Sequence, residues 1–217
     1  MSTISVTNVK HESSTPNNIV LTSDGDIQIA RALGLGGATY GTSGQVLTSA
    51  GSGAVPTWAT ATNLTRGTAA ATTSGTEVDF TSLPAGIKKI TLVLDSVSVN
   101  DTNNVFVRLS TGGTFATTGY ESQSMRIQNA STSAAVTDTT QFVIISNDNA
   151  SRLWTGSFTW HNITGNTWVM SGNCNTDGDA RAVVCSGRIA LGGTLDGLRM
   201  RTAGTYDGGQ INIFYEV

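Results

Sequence analysis

Histidines and carboxylates are the side chains of this chain that could carry hydrolytic chemistry. His11 and His161 are the only histidines, so a Ser-His-Asp triad in the globular part could use only His161. No Gly-x-Ser-x-Gly elbow is present to supply its serine. Paired acids such as Asp177 and Asp179 lie in turn-like sequence, whereas a glycosidase needs two carboxylates about 5 to 9.5 Å apart in a cleft. We therefore predict no catalytic residue and no enzyme activity, and we interpret His161 as a surface or strand-end residue.

Residues 173–179 (Asn-Cys-Asn-Thr-Asp-Gly-Asp) alternate oxygen-bearing side chains and place Gly178 where a calcium loop bends. Position twelve of that pattern is Val184 instead of Glu, so the strongest ligand is missing. This favours a polar hairpin turn over a weak cation site. Residues 34–37 (Gly-Leu-Gly-Gly) do not complete a nucleotide-binding GxGxxG, because Thr39 occupies the place of its last glycine. No metal or cofactor is expected.

Cys174 and Cys185 flank the same turn and could face each other in a hairpin. The start of the chain lacks the charged segment and apolar run of a signal peptide, and no segment approaches the ~18 apolar residues of a membrane span. We therefore expect folding in a cytoplasm and no membrane insertion. In a reducing compartment, two buried thiols are favoured over the alternatives, a disulfide and metal binding.

Period-two alternation is the main signal of the elements that would position any site. Ile90, Leu92 and Leu94 alternate with their neighbours, and the same pattern recurs at 105–110 and 125–127. Further strands are predicted at 141–146, 152–163, 167–174, 182–191, 197–202 and 210–217, separated by Asn-, Asp- and Gly-rich turns. This predicts an all-β fold whose C-terminal domain, residues 77–217, is an antiparallel β-sandwich of jelly-roll-like topology. The last strand is apolar enough to be central or docked, so its removal should unfold the domain.

Aromatic side chains concentrate in one predicted hairpin. Trp154, Phe158 and Trp160 share one face of a strand, with Trp168 nearby. That face is either the domain core or a platform for stacking sugars, and core burial is favoured because the domain has few other large side chains.

Composition limits the kind of partner. Charged residues make up only 12% of the chain, and the net charge is −3. Neither the first 60 residues nor the remainder is basic, which disfavours nucleic acid as a partner. A surface of hydroxyl and amide groups is typical of β-rich extracellular or virion proteins.

The first 60 residues differ from the rest of the chain. Val20–Gly25 (Val-Leu-Thr-Ser-Asp-Gly) recurs as Val-Leu-Thr-Ser-Ala-Gly at 46–51, and each copy is typical of a strand that runs into a Gly turn. Residues 26–33 fit either a helical turn or a strand. Since neither repeat can bury its few apolar side chains alone, a stable structure would need several copies of the chain side by side. Residues 61–76, rich in Ala, Thr and Gly, are predicted to form a linker or a close-packed seam at an oligomer axis.

A family resemblance lies in the same region. Residues 1–11, residues 18–21 and, above all, residues 41–49 (Gly-Thr-Ser-Gly-Gln-Val-Leu-Thr-Ser) with Trp58 resemble the amino-terminal region of tail fibre and related virion proteins of tailed phages, especially cyanophages. The resemblance implies that such a region attaches to the particle or forms a homotrimeric shaft, with the C-terminal domain distal. No long shaft sequence is present, so a short fibre is expected.

The resulting hypothesis is a short homotrimeric tail fibre located in the virion. Its partners would be other tail or baseplate proteins and a host-surface glycan or protein. The alternatives are a capsid-decorating or baseplate protein without receptor binding, and a soluble carbohydrate-binding module. The attachment or oligomerisation candidates in 1–60 are Ile4, Val6, Val9, Val20, Leu21, Val46, Leu47 and Trp58. The receptor-contact candidates, chosen from predicted turns, are Tyr120, Asn147, Asp148, Asn149, Asn166 and Tyr206.

Overall fold

A computed structural model describes residues 8–9, 19–21, 26–29, 33–35, 39–61, 64–128, 134–178 and 180–217. The chain divides into two compact units, Met1–Thr62 and Asn63–Val217. Every regular element of the described residues is a β-strand, and all strand pairs are antiparallel, as the alternating sequence predicts. Among those residues no helix is long and apolar enough to cross a membrane.

The N-terminal unit consists of short strands in three small sheets. β1, β2 and β3 form a three-stranded sheet, and β4–β5 and β6–β7 form two-stranded sheets. The strands are β1 Asn8–Val9, β2 Ile19–Leu21, β3 Ile27–Ile29, β4 Gly34–Leu35, β5 Thr39–Tyr40, β6 Gln45–Thr48 and β7 Thr57–Thr60. Within the segment 26–33, Ile27–Ile29 form a strand that pairs with β2, and residues 30–32 lie outside the described residues.

The C-terminal unit contains the remaining strands. They are β8 Thr65–Arg66, β9 Ala70–Ala71, β10 Glu77–Phe80, β11 Lys89–Val99, β12 Val105–Thr111, β13 Thr114–Phe115, β14 Tyr120–Ile127, β15 Ala134–Asp138, β16 Phe142–Ile145, β17 Trp154–Thr164, β18 Thr167–Thr176, β19 Ala182–Ala190, β20 Leu195–Thr202 and β21 Tyr206–Glu216.

Two sheets build this unit. The long sheet has the order β15-β14-β19-β18-β17-β11-β21-β8, and β9 also pairs with β21. The short sheet has the order β10-β20-β12-β13, and β16 also pairs with β12. The chain passes repeatedly from one sheet to the other, but some consecutive strands stay in one sheet. These are β12 and β13 in the short sheet, and β8–β9, β14–β15 and β17–β18–β19 in the long sheet.

One hydrophobic core draws on both sheets. Leu92 of β11 and Val107 of β12 are fully buried in the same cluster. Phe142 of the short sheet contacts two aromatic rings of the long sheet edge-on, Tyr120 at 5.0 Å and Trp160 at 5.8 Å between ring centroids. Burial of these side chains from both inner faces stabilises the unit, since apolar area removed from water contributes about 25 cal/mol per Å².

The aromatic face of β17 belongs to this core. Trp154, Phe158 and Trp160 are buried, as is Trp168 of β18. The core interpretation of these aromatics is confirmed, and they form no exposed sugar-stacking platform.

Residues 61–76, predicted as a linker, instead contribute β8 and β9 to the edge of the long sheet. The Gly67 amide donates to the Ile213 carbonyl at 2.8 Å, and the buried Thr72 hydroxyl donates to the Gly208 carbonyl at 2.8 Å. Small side chains permit this close approach, because a Cβ at Gly67 would lie 2.9 Å from the Ile213 side chain. The segment has few apolar side chains because its strands lie at the edge of the sheet, and this composition made it resemble a linker.

Strand register defines two ends of the C-terminal unit. At the near end, Lys89 pairs with Glu216 and with His161. The first strand of the unit, β8, pairs with β21 at the same end, where Thr65 lies opposite Tyr215. At the far end, Val99 pairs with Tyr206. The chain therefore enters the unit at the near end, and the loops around 100–104, 146–153 and 203–205 lie at the far end.

Candidate functional site: the far-end loops

The far-end loops bring together three of the sequence-predicted contact residues, Asn147, Asp148 and Asn149. They follow directly after β16 and precede β17. Asn166 lies in the β17–β18 turn at the near end, where its carbonyl accepts the Leu191 amide at 3.0 Å. The structure therefore separates Asn166 from Asn147, Asp148 and Asn149 by the length of a strand.

Burial corrects the prediction for the two tyrosines. Tyr120 is 2% exposed and Tyr206 is fully buried, because each begins a strand with its side chain directed inward. The Tyr120 hydroxyl accepts the Leu109 amide at 3.1 Å and donates to the Ala116 carbonyl at 3.2 Å. Both tyrosines are core residues and cannot contact a receptor in this fold.

Asn147 is also buried and organises the loop from within. Its side-chain amide donates to the Asp101 carbonyl at 2.9 Å and its side-chain oxygen accepts the Trp154 indole N–H at 3.2 Å. Its backbone amide donates to the Asn104 side chain at 3.0 Å. Asn147 therefore positions the neighbouring loops and is not itself a contact residue.

Exposed polar groups surround this anchor. Asn149 is exposed, and its side-chain oxygen accepts the Ser151 amide at 2.8 Å in an Asx turn. Asn100 and Thr205 tie two further loops together, because each backbone amide donates to the other residue, at 2.9 and 3.0 Å. The result is a set of loops whose exposed amides and hydroxyls are held by local hydrogen bonds.

Asp148 is the centre of an arginine cluster beneath these loops. Its carboxylate contacts Arg152 Nε at 2.6 Å, an Arg181 nitrogen at 2.6 Å and an Arg126 nitrogen at 3.3 Å. Arg126 and Arg152 are buried, and the Arg126 guanidinium also donates to the Ser146 carbonyl at 2.7 Å. Burial lowers the pKa of Arg126, and the Asp148 charge opposes that shift. Asp148 therefore fastens the loop to β14 through Arg126 and to the residue that precedes β19 through Arg181.

The sequence pattern predicted that β14 is a strand, but it did not show which side chains of β14 point into the protein. The arginine cluster was missed for this reason. Met125 and Ile127 are 40% and 48% exposed, whereas Arg126 between them is buried. The alternation was a correct signal for a strand, but hydrophobicity suggested the opposite orientation.

The described residues contain no group of three or more His, Cys, Asp or Glu side chains that could hold a metal. Asn173 and Asn175 of the calcium-like segment lie within the extended strand β18, so this segment does not curve around an ion as a calcium loop does. Asp179 lies outside the described residues.

Cys174 and Cys185 are free, buried thiols on neighbouring strands. Burial raises the pKa of Cys174, and it raises the pKa of Cys185 to about 12. The Cys185 thiol contacts the Met170 sulfur at 3.5 Å. Both cysteines therefore remain protonated near neutral pH and pack as small apolar side chains.

The N-terminal candidates fall into two groups. Ile4 and Val6 lie outside the described residues, while Val9, Val20 and Leu21 lie in strands β1 and β2. Val46 and Leu47 of β6 are 48% and 47% exposed, and Trp58 of β7 is half-buried opposite Leu47.

Trp58 packs on Gly41, where a Cβ would lie 2.6 Å from the ring. This contact packs the β6–β7 hairpin against Gly41, which precedes β6 in the chain. Large apolar side chains nevertheless remain exposed in this unit, for example Ile27, Tyr40 and Val55. Among the residues before position 62 whose side chains are described, none is buried.

A scan against protein-family models and searches of curated proteins and of solved structures found no match to this chain.

Proposed function

We propose that this chain is a non-enzymatic virion protein, a short homotrimeric tail fibre of a tailed phage that attaches through residues 1–60. The observation that carries the proposal is the N-terminal unit without a buried side chain among its described residues. Ile27, Val46 and Leu47 are exposed, and the described residues before position 62 form no buried core, so we infer that the unit needs apolar surface from other chains. The family resemblance of residues 41–49 and Trp58 supports attachment or trimerisation as the purpose of that surface.

The C-terminal unit is proposed to be a β-sandwich that is jelly-roll-like in its repeated crossings between sheets. Support comes from the single core shared by the two sheets. Strands β17, β18 and β19 are instead consecutive neighbours in one sheet, which is an up-and-down arrangement.

The far-end loops are proposed as the surface that contacts the host, through a glycan or a protein. The chain enters the C-terminal unit at the near end, beside Tyr215, and the exposed Asn149 and Ser151 lie at the opposite end. The resemblance of residues 41–49 implies that the C-terminal domain is distal to the attachment region. Several copies in one fibre would strengthen weak individual contacts through avidity.

The test of assembly is the mass of the full-length protein in solution. We expect sedimentation velocity and light scattering to give three times the mass of one chain, and residues 63–217 alone to be monomeric. Replacement of Val46 and Leu47 by Ser should weaken the trimer, whereas Ser157→Ala, an exposed change in the C-terminal unit, should not. A monomeric full-length protein with a folded N-terminal unit would contradict the proposal.

Location on the particle is the second test. Labelled antibody against residues 63–217 should mark the tail in electron micrographs of virions. Label on the capsid or within the baseplate would favour the decorating or baseplate alternative, and a monomer that binds glycans without any particle would favour the carbohydrate-binding module.

A further inference from the structure

A groove crosses the outer face of the long sheet, away from the far-end loops. It has a volume of about 470 Å³ and is lined by Glu121, Gln123, Thr137, Val169, Ser186 and Arg188. A second hollow of about 220 Å³ shares Gln123 and Ser186 with it and extends to Met125 and Val184. The two hollows therefore adjoin along strands β14 and β19. Both are shallow, and the first has a volume within the range of small-ligand sites.

Three cross-strand pairs with different chemistry succeed one another along this groove. Glu121 lies opposite Arg188, Gln123 opposite Ser186, and Met125 opposite Val184. The first pair is ionic, with 2.8 Å between a Glu121 oxygen and an Arg188 nitrogen, and both side chains are at least half exposed. The groove thus passes from charged to hydrogen-bonding to apolar over five residues of β14.

The central polar groups have no partners within the part of the chain that the structure describes. The side chains of Gln123, Ser186 and Thr137 make no hydrogen bond there, although β14, β19 and β15 hold their backbones in regular pairing. Gln123 offers two donors and one acceptor, and each hydroxyl offers both. These groups are pre-positioned on strands to exchange hydrogen bonds with a bound molecule, which is a more precise support than a loop.

The charge of the groove restricts the ligand. Glu121 and Arg188 cancel each other, so no net charge favours an anion or a cation. A ligand with many hydroxyls can donate to the carboxylate and accept from the guanidinium, and its C–H surfaces can cover Val169, Met125 and Val184, which are about 40% exposed. A neutral saccharide combines these properties.

We propose that this groove is a lateral binding site for a neutral hexose-based glycan, with Gln123 and Ser186 as the central contacts and the Glu121–Arg188 pair at one end. The assignment deepens the proposed function by naming a receptor class and a site on the side of the C-terminal unit. It does not require a trimer, so assembly and glycan binding can fail independently.

The test uses the full-length protein and a panel of neutral tetrasaccharides of glucose, galactose or mannose, followed by saturation-transfer NMR and titration calorimetry. At least one member should bind. The double substitution Gln123→Ala and Ser186→Ala should weaken that binding about thirtyfold, because each of the two lost hydrogen bonds between neutral groups costs on the order of 1 kcal/mol. Ser171→Ala and Ser157→Ala, which change exposed hydroxyls of the same sheet face outside the groove, should leave it unchanged.

Three results would overturn the assignment. The first is that no neutral tetrasaccharide binds at millimolar concentration, and the second is that binding is equally strong in the Gln123→Ala, Ser186→Ala protein. The third is that sulfated or uronic-acid tetrasaccharides bind more tightly than neutral ones. Thermal unfolding of each variant confirms that it is folded, and the mass measurement above reports on assembly separately.

Discussion

Glycines on the inner face of the long sheet determine how the aromatic core packs. A Cβ at Gly172 would lie 2.5 Å from the Phe158 ring, and one at Gly187 would lie 2.9 Å from the Phe142 ring. A Cβ at Gly156 would lie 2.5 Å from the Cys174 Cα. These strand glycines serve close packing, since each leaves room for a neighbour that the core could not otherwise accommodate.

Gly172→Ala is therefore expected to destabilise the C-terminal unit by about 2 kcal/mol, the usual cost of overpacking a core. Urea unfolding followed by tryptophan fluorescence measures the change. Gly192→Ala is the matched control, because a Cβ there meets nothing within 4 Å. Equal stability of the two variants would contradict the packing role.

Buried ionisable side chains predict loss of stability in alkali. Burial raises the pKa of Tyr120 and of Cys185 to about 12 each, and it also raises the pKa of Cys174 and of Tyr206. Unfolded cysteine and tyrosine lose their protons near pH 8.5 and 10. Above these values the unfolded chain is deprotonated while the folded one is not, so stability is complete below about pH 8.5 and falls as the pH approaches 12.

Urea midpoints measured in reductant from pH 7.5 to 11 should show this decline. Replacement of both Cys174 and Cys185 by Ala should delay its start to about pH 10, where tyrosine alone contributes. A midpoint that stays constant up to pH 11 would show that these side chains are not buried in solution.

At the scale of the elements, β21 is an inner strand of the long sheet. It lies between β11 and the edge strands β8 and β9, and its residues Ile211 and Ile213 are buried. The sequence expectation of a central or docked last strand is confirmed by this position. An apolar strand in the middle of a sheet cannot be removed without exposing backbone groups on both sides.

Deletion of residues 206–217 is accordingly expected to abolish the cooperative unfolding transition, as measured by circular dichroism. Deletion of Val217 alone should have little effect, since this residue is 67% exposed. A cooperative transition in the longer deletion would show that the remaining strands form a core without β21.

The loop at 146–153 depends on one carboxylate. Asp148→Asn leaves the buried Arg126 and Arg152 without the negative charge that both contact. We therefore expect the free energy of unfolding to fall by about 2 kcal/mol. This is less than the cost of breaking a completely buried ion pair, because Asp148 is partly exposed. The control is Glu121→Gln, whose ion pair with Arg188 is exposed and should contribute less than about 1 kcal/mol. Chemical unfolding of the two variants compares these values, and the same cost for both would contradict the special role of Asp148.

At the scale of the whole molecule, the two units differ in where their stability comes from. The C-terminal unit has a continuous core of buried side chains from both sheets. The N-terminal unit exposes apolar side chains such as Ile27 and Val46. Under the proposed assembly, only the N-terminal unit should therefore respond to protein concentration.

Hydrogen exchange tests this difference. On dilution, amides of β6 and β7 should lose protection, while amides of β11 and β17 should keep theirs. Concentration-independent protection of the β6–β7 hairpin would indicate that the N-terminal unit is stable on one chain, which contradicts the proposed fibre.

Much of the fold could be predicted from the sequence because strand period and turn chemistry are local properties. The alternation of Ile90, Leu92 and Leu94 and the turn at 164–166 predicted β11 and the β17–β18 hairpin close to their observed bounds. The strand β10 was missed, since its Glu77 and Asp79 make it polar. It is held by long-range pairing with β20, where Arg199 contacts the Asp79 carboxylate at 2.7 Å.

The sequence by itself determined that the chain is all-β, that its aromatic residues Trp154, Phe158 and Trp160 form a core, and that its last strand is integral. Only the tertiary structure decided that Tyr120, Tyr206 and Asn147 are buried, that Arg126 points inward to Asp148, and that residues 61–76 join the sheet. The physical reason is the distance along the chain over which each property is determined. A strand's period follows from its own residues, whereas the face that it buries and the partners that it meets depend on strands distant in the chain.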